Sequence, residues 1–217
     1  MGNIDLNFEL QQMIDDQIIS RGISDDRVLH AFRSVPRHLF VAEEYQHLAY
    51  SDCPLPIGFG QTISQPYIIA FMISELHLNG GEIVLEVGTG CGYQVAILAH
   101  MASTIVSMEI IPELADRAEK TISSLKLENV QILRGDGSLG WPKGAPYDAI
   151  LISAAAPMVP ELLLNQLADG GRLILPVGSR GFQQLEIWTR NGSIFSKEVS
   201  LPVAFVPLRG EYGWRVD

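Results

Sequence analysis

The chain has 217 residues, enough for one α/β domain with a sizeable core, and 47% of them are hydrophobic, which excludes intrinsic disorder. Its formal charge of −10, with no Lys/Arg cluster to offset it, argues against a protein whose main business is gripping nucleic acid. No apolar run reaches the roughly 18 residues needed to cross a bilayer, Met1 to Leu10 lacks the layout of a secretion signal, and Cys53 and Cys91 stand far apart, so free thiols in the cytoplasm are expected.

Leu6, Leu10, Met13, Ile14 and Ile18 recur at helical spacing and predict a helix over 6–20. Asp25-Asp26 opens a second helix through Val28, Leu29, Ala31 and Phe32; Pro36 ends it, because the residue before a proline is disfavoured in helix. Tyr50 to Thr62, with Pro54, Pro56, Gly58 and Gly60, reads as a loop. Ser64-Gln65-Pro66 then starts a helix with Pro66 in its first turn, which stops near Asn79-Gly80-Gly81. No strand signal is present in 1–80, so this part is expected to be a helical lid and substrate-side segment on the core.

From Ile83 onward strands and helices alternate. Strands are predicted at 83–87, 105–109, 130–134, 148–152 and 172–177, and helices at 94–101, 112–125 and 160–167. That alternation predicts an α/β fold with a doubly wound, mostly parallel sheet. Asn191-Gly192 between two strand-like runs is a hairpin signal, so the sheet is expected to finish antiparallel, with the order of its last strands open. The expectation is one domain, divided into 1–80, a core of 81–180 and a hairpin and tail of 181–217. Gly178-Ser179-Arg180-Gly181 is one residue short of a nucleophile elbow and reads as a loop.

The chain is organised around Ile83 to Tyr93. An apolar strand runs into Gly88, Gly90 and Gly92 and then a helix; such a turn lets ligand atoms approach the backbone, and the helix start offers free N–H groups. Glu86 lies near the end of this strand, and Glu109 ends the next, where it can accept from both ribose hydroxyls of a nucleoside. The carboxyl ends of parallel strands form the ligand crevice, and Glu86, Glu109, Asp136 and Ser153 to Pro157 all fall there. Asp136 can accept from an adenine amino group or can serve as a plain turn residue before Gly137. The Gly-x-Gly-x-Gly spacing differs from the dinucleotide fingerprint Gly-x-Gly-x-x-Gly, yet the turn alone leaves the ligand open. The five histidines show no metal-ligand spacing, and neither a P-loop nor a Gly-x-Ser-x-Gly elbow is present, so metal, ATPase and hydrolase readings start weak.

The acid two residues before Gly88 makes the stretch resemble motif I of the S-adenosylmethionine-dependent methyltransferases. Beyond it, Val35–Val41, Pro56–Pro66, Leu85–Tyr93, Gly135-Asp136-Gly137, Gly140-Trp141-Pro142, Ala145–Ile150, Gly171–Gly178 and Phe205–Leu208 resemble the protein-L-isoaspartate (D-aspartate) O-methyltransferases, over roughly residues 25–210. The stretch Gln61–Pro66 is the part specific to that family. The resemblance implies a Rossmann-like methyltransferase fold with an N-terminal helical extension and S-adenosylmethionine as cofactor, leaving S-adenosylhomocysteine. It implies methyl transfer to the free carboxylate of L-isoaspartyl and D-aspartyl residues in damaged proteins and peptides, which initiates repair through a succinimide. Ser64 would be the active-site serine. Glu86, Val87, Gly88, Thr89, Gly90, Gly92, Tyr93, Glu109, Ile110, Gly135, Asp136 and Gly137 would hold the cofactor. Ile57, Gly58, Thr62, Ala154, Ala155, Ala156, Pro157 and Val206 would line the substrate groove. No metal, nucleic-acid or membrane partner is implied, and a monomer is expected. By its sequence context alone Ser64 fits a helix N-cap equally well. The same motifs also suit a methyltransferase of this lineage with another substrate, or a non-catalytic cofactor-binding adaptor; a nicotinamide dehydrogenase is disfavoured by the glycine spacing.

Overall fold

The computed structural model describes residues 5–179 and 181–214. Asp5 caps α1 (Leu6–Gln12) by accepting from the N–H of Asn7 and Phe8. The predicted helix over 6–20 changes type on the way: Met13–Ile18 is π-helical, with Met13, Ile14 and Ile18 buried, and Ile19–Arg21 is a 3-10 turn ending at Gly22. Asp25 caps α2 (Asp26–Ser34) through the Arg27 N–H at 2.8 Å, and α2 buries Val28, Leu29, Ala31 and Phe32.

The 50–62 stretch is more than a loop. β1 (Leu55–Gly58) pairs antiparallel with β2 (Gln61–Ile63), so the expectation of no strand in 1–80 is corrected. The sequence hid the hairpin because its strands are four and three residues long and carry a proline and a glycine, too short to display alternation. Leu55, Ile57 and Ile63 nevertheless point inward. α3 (Pro66–Ser74) follows with proline in its first turn. It ends five residues before Asn79, and Leu76 and Leu78 continue the burial in an irregular segment.

The remaining elements are β3 (Ile83–Val87), α4 (Tyr93–Ala99), β4 (Thr104–Glu109), α5 (Pro112–Ser124), β5 (Val130–Arg134), β6 (Tyr147–Ile152), α6 (Glu161–Asn165), β7 (Leu167–Ser179), β8 (Phe182–Asn191) and β9 (Ile194–Val203). They form a seven-stranded sheet in the order β5-β4-β3-β6-β7-β8-β9. The pairs from β5 through β7 are parallel and the last two antiparallel, as the alternation and the hairpin signal predicted. β7 starts earlier than predicted, at Leu167 opposite Tyr147, and shortens α6; a register shift and left-handed Gly170 absorb the irregularity. Gly178 and Ser179 belong to β7 rather than to a loop, and Arg180 lies outside the described residues. At the hairpin Asn191 pairs with Ile194, so the two-residue turn is Gly192-Ser193, with Gly192 at φ +62°. That displaces the turn one residue from the expected Asn-Gly and puts glycine at the first central position.

Successive residues of β3 face opposite layers. Val84 joins a core with α1 to α4, Ile105, Leu151 and Ile174; Leu85 and Val87 join a second core with Met108, Ile150, Leu173 and Leu163 of α6. The N-terminal helices are thus a packing layer of the first core. No described helix is long and apolar enough to cross a membrane.

Candidate active site

β3 and β6 are neighbours from which the chain winds in opposite directions, and a cleft opens at their carboxyl ends, where ligands bind in open α/β sheets. Its wall comes from six separated segments: the β1–β2 hairpin with Ser64 and Ile69, the glycine loop with the start of α4, the end of β4, Gly137 after β5, Ser153-Ala154 after β6, and Val206 to Arg209.

The glycine loop has the backbone its sequence demands. Gly88, Gly90 and Gly92 sit at φ +98°, +55° and +89°, where a side chain would be strained. A Cβ on Gly92 would lie 3.2 Å from Ala118 Cβ of α5, so the third glycine serves packing and stands off the cleft wall. Met108 O accepts from the Gly88 N–H at 2.9 Å, tying the loop to β4. Glu109 completes the tie: Gly90 N donates to Oε2 at 2.8 Å and Ile111 N to Oε1 at 2.9 Å. Each carboxylate oxygen keeps a second acceptor position, aimed from a fixed plane in the cleft wall. This fits the expected ribose acceptor.

Two acids expected to hold the cofactor are placed elsewhere. Glu86 is wholly buried behind the loop, because the pleat turns it away from the strand end that Val87 occupies. Ser107 Oγ donates to its Oε2 at 2.5 Å and lies 2.5 Å from Thr89 Oγ1, while Oε1 has no partner. Burial pushes the Glu86 carboxyl up to about 8; the Ser107 bond opposes this and the Glu109 charge adds to it. Glu86 is therefore mostly a neutral acid at pH 7, supporting Thr89 from behind rather than touching a ligand. Asp136 is engaged by the chain itself: its Oδ1 accepts from Ser138 N and Oγ at 2.9 and 2.6 Å, and its Oδ2 from Glu211 N at 2.7 Å. Asp136 thus caps the Gly137–Leu139 turn and is not among the residues that line the cleft. Gly137 lines the cleft beside it, whereas Gly135, whose N–H donates to Glu109 O, does not.

Ser64 lines the cleft, and it is not a cap: Gln65 takes the N-cap position of α3. The Ser64 hydroxyl bonds to no other described residue. Thr62, Ser64, Ser153 and Val206 also line a second, adjoining groove that runs between Pro54–Ile68 and residues 202–206. Among the expected substrate residues, Ile57, Thr62, Ala154 and Val206 face the cleft. Ala155 and Ala156 are buried and use their backbone to hold Val206, Leu208, Pro176 and Gly178. Pro157 faces a different surface groove, and Gly58 only shapes the hairpin turn. Val87, Gly88, Thr89, Gly90, Tyr93 and Ile110 line the cleft as expected.

Several wall residues escaped the sequence reading. Gln94, in the first turn of α4, donates to Ser153 Oγ at 2.7 Å across the cleft floor; its place beside the glycine loop was the available signal. Gln61, Ile63, Cys91, Met108 and Ile111 flank residues already singled out. Pro207 and Leu208 lie in the stretch Phe205–Leu208 that resembles the family but were not singled out as wall residues, and Arg209 lies just beyond it; backbone bonds to Ala155 and side-chain bonds with Gln183 bring the segment over the sheet. No group of three His, Cys, Asp or Glu able to hold a metal occurs among the described residues.

The family model for protein-L-isoaspartate(D-aspartate) O-methyltransferase matches residues 9–213. The chain is 49% identical over 206 residues to the protein-L-isoaspartate O-methyltransferase of Methanoregula boonei, covering 95% of each chain. It is 50% identical over 212 residues to protein-L-isoaspartate O-methyltransferase 1 of Syntrophobacter fumaroxidans, covering 96% of this chain and 99% of that one. Among solved structures, a protein-L-isoaspartate O-methyltransferase superposes with a TM-score of 0.85 at 27% identity, covering 94% of this chain and 67% of that one. A Plasmodium falciparum structure, described as a β-aspartate methyltransferase in complex with S-adenosyl-L-homocysteine, superposes with a TM-score of 0.81 at 26% identity, covering 95% of this chain and 99% of that one. The chain belongs to the protein-L-isoaspartate (D-aspartate) O-methyltransferase family.

Proposed function

We propose that the cleft and the adjoining groove together carry out methyl transfer from S-adenosylmethionine to the free carboxylate of L-isoaspartyl and D-aspartyl residues in damaged proteins and peptides, the step that initiates their repair through a succinimide. The observation that carries the site assignment is that Ser64, whose hydroxyl bonds to no other described residue, lines both cavities where they adjoin. When bound, S-adenosylmethionine supplies a methyl group activated by a sulfonium sulfur. Glu109 holds the ribose with its spare acceptor positions, and Val87 to Gly90 leave room along the loop. Ser64 donates to the acceptor carboxylate and points it into the cleft, and the groove between Pro54 and residues 202–206 receives the peptide on either side.

No general base is needed. A carboxylate with an ordinary pKa of ~3.9 is already ionised at neutral pH, so the residues work by alignment and exclusion of water, for which orientation alone is worth ~7–11 kcal/mol. The free thiols Cys53 and Cys91 suit a reducing compartment and support action in the cytoplasm, and the net charge of −10 disfavours a nucleic-acid partner. Labelled S-adenosylmethionine and an isoaspartyl peptide, followed by mild base, test the chemistry. A carboxyl ester releases the label as methanol; label that survives base means transfer to another group and contradicts the proposal.

A further inference from the structure

The chain contains two Asn-Gly dipeptides, Asn79-Gly80 before β3 and Asn191-Gly192 at the β8–β9 turn, both exposed. In such a pair the glycine nitrogen attacks the asparagine Cγ. A C–N bond forms, the N–H proton passes to the departing amide nitrogen, ammonia leaves, and water opens the succinimide to an aspartyl or isoaspartyl residue. The attack requires that the glycine N–H be given up and that its nitrogen reach Cγ.

At both sites a carboxylate occupies that N–H. Glu82 accepts from Asn79 N at 2.7 Å and from Gly80 N at 2.8 Å, one on each oxygen. The Asn79 side chain is pinned as well, its Oδ1 accepting from Arg27 Nη1 at 2.9 Å and its Nδ2 donating to His77 O at 3.2 Å. At the hairpin, Gly192 N donates to Asp169 Oδ1 at 2.6 Å. Asp169 itself precedes Gly170, so this one bond restrains the nitrogen of one vulnerable pair and the carboxyl of another. A charge-assisted bond of this kind must break before the nitrogen can turn toward Cγ, and the negative charge opposes the amide anion that attacks. Burial raises the Glu82 carboxyl, but the backbone N–H donors of residues 79–82 outweigh it and hold it below its ordinary value, so the clamp stays charged at neutral pH.

We propose that Glu82 and Asp169 guard the glycine nitrogens of Asn79-Gly80 and Asn191-Gly192, shielding the enzyme from becoming its own isoaspartyl substrate. The full chain, Glu82→Ala and Asp169→Ala are aged side by side at mildly alkaline pH. Peptide mass spectrometry reads deamidation at Asn79 and Asn191, independently of whether the chain transfers methyl groups. Labelled S-adenosylmethionine then reads isoaspartate. The expected result is that each variant deamidates at its own site about tenfold faster than wild type, the scale of one lost charge-assisted hydrogen bond, with the other site unchanged. Aged variants would take up about tenfold more base-labile methyl than aged wild type. A variant deamidating at the wild-type rate, or more slowly because the carboxylate had served as a base, overturns the proposal. Acceleration of both sites in one variant would report unfolding. The comparison then rests on Glu82→Gln and Asp169→Ser, which keep an acceptor oxygen without the charge and must still accelerate their own site; wild-type rates there overturn it too.

Discussion

Three side chains illustrate how little sequence position says about direction. Glu109 closes β4 and Glu86 stands one residue before the end of β3, yet one faces the cleft with two fixed oxygens and the other lies behind it, its carboxyl pushed up by burial. Glu109→Gln puts an amide NH₂ against the N–H of Gly90 or Ile111, and calorimetry should show S-adenosylhomocysteine binding weakened by about 10–100-fold, as expected for a lost hydrogen bond to a charged group. Ser64→Ala should lower kcat/KM for an isoaspartyl peptide by a similar factor of about 10–100 while leaving cofactor affinity unchanged. Equal losses in both would make Ser64 a structural residue. Glu86 produces a pH signature. Its folded pKa of about 8 exceeds the ordinary 4.5, so the unfolded chain ionises first, and stability falls as pH rises through that window. Melting temperatures across it should decline more steeply for wild type than for Glu86→Gln; parallel curves would mean that Glu86 is ionised in the fold. Which strand-end acid faces the ligand depends on the pleat and on the exact last residue, and neither is encoded in a motif.

At the scale of elements, long periodic segments are legible in the sequence and short ones are not. β3, β4, β5 and β6 follow from their apolar runs, and α5 from proline at its start. β1 and β2 are hidden because Pro56, Gly58 and Gly60 read as loop residues; the pairing depends on Leu55, Ile57 and Ile63 finding the core of the distant helices. The Gly135-Asp136-Gly137 turn resembles a ligand contact in sequence, but its geometry is a packing solution. A Cβ on Gly137 would lie 2.4 Å from Val87 Cγ1, at the end of the central strand. Gly137→Ala should therefore cost about 1–3 kcal/mol in denaturant unfolding, the usual penalty of overpacking, and also weaken cofactor binding by shifting Val87. A variant as stable as wild type would show that the turn has slack.

For the molecule as a whole, the parallel order around β3 and β6 creates the cleft, and the antiparallel end of the sheet creates the groove that meets it. The first is legible from the alternation of strands and helices. The second is not, because it is built from Pro54 to Ile68 and residues 202–206, more than 130 positions apart in sequence and joined only through the folded sheet. The same distance explains why Pro207 to Arg209 were not read as cleft wall, although Pro207 and Leu208 share with Val206 the stretch that resembles the family. In the proposed reading, a cofactor cleft that adjoins a peptide groove at Ser64 serves a carboxylate displaced from the normal backbone. The most direct test is initial-rate methyl transfer to an L-isoaspartyl peptide and to the same peptide with ordinary L-aspartate. The account predicts base-labile methylation of the isoaspartyl peptide and none of its aspartyl isomer. Equal transfer to both, or no transfer by a chain that still binds S-adenosylhomocysteine, would contradict it.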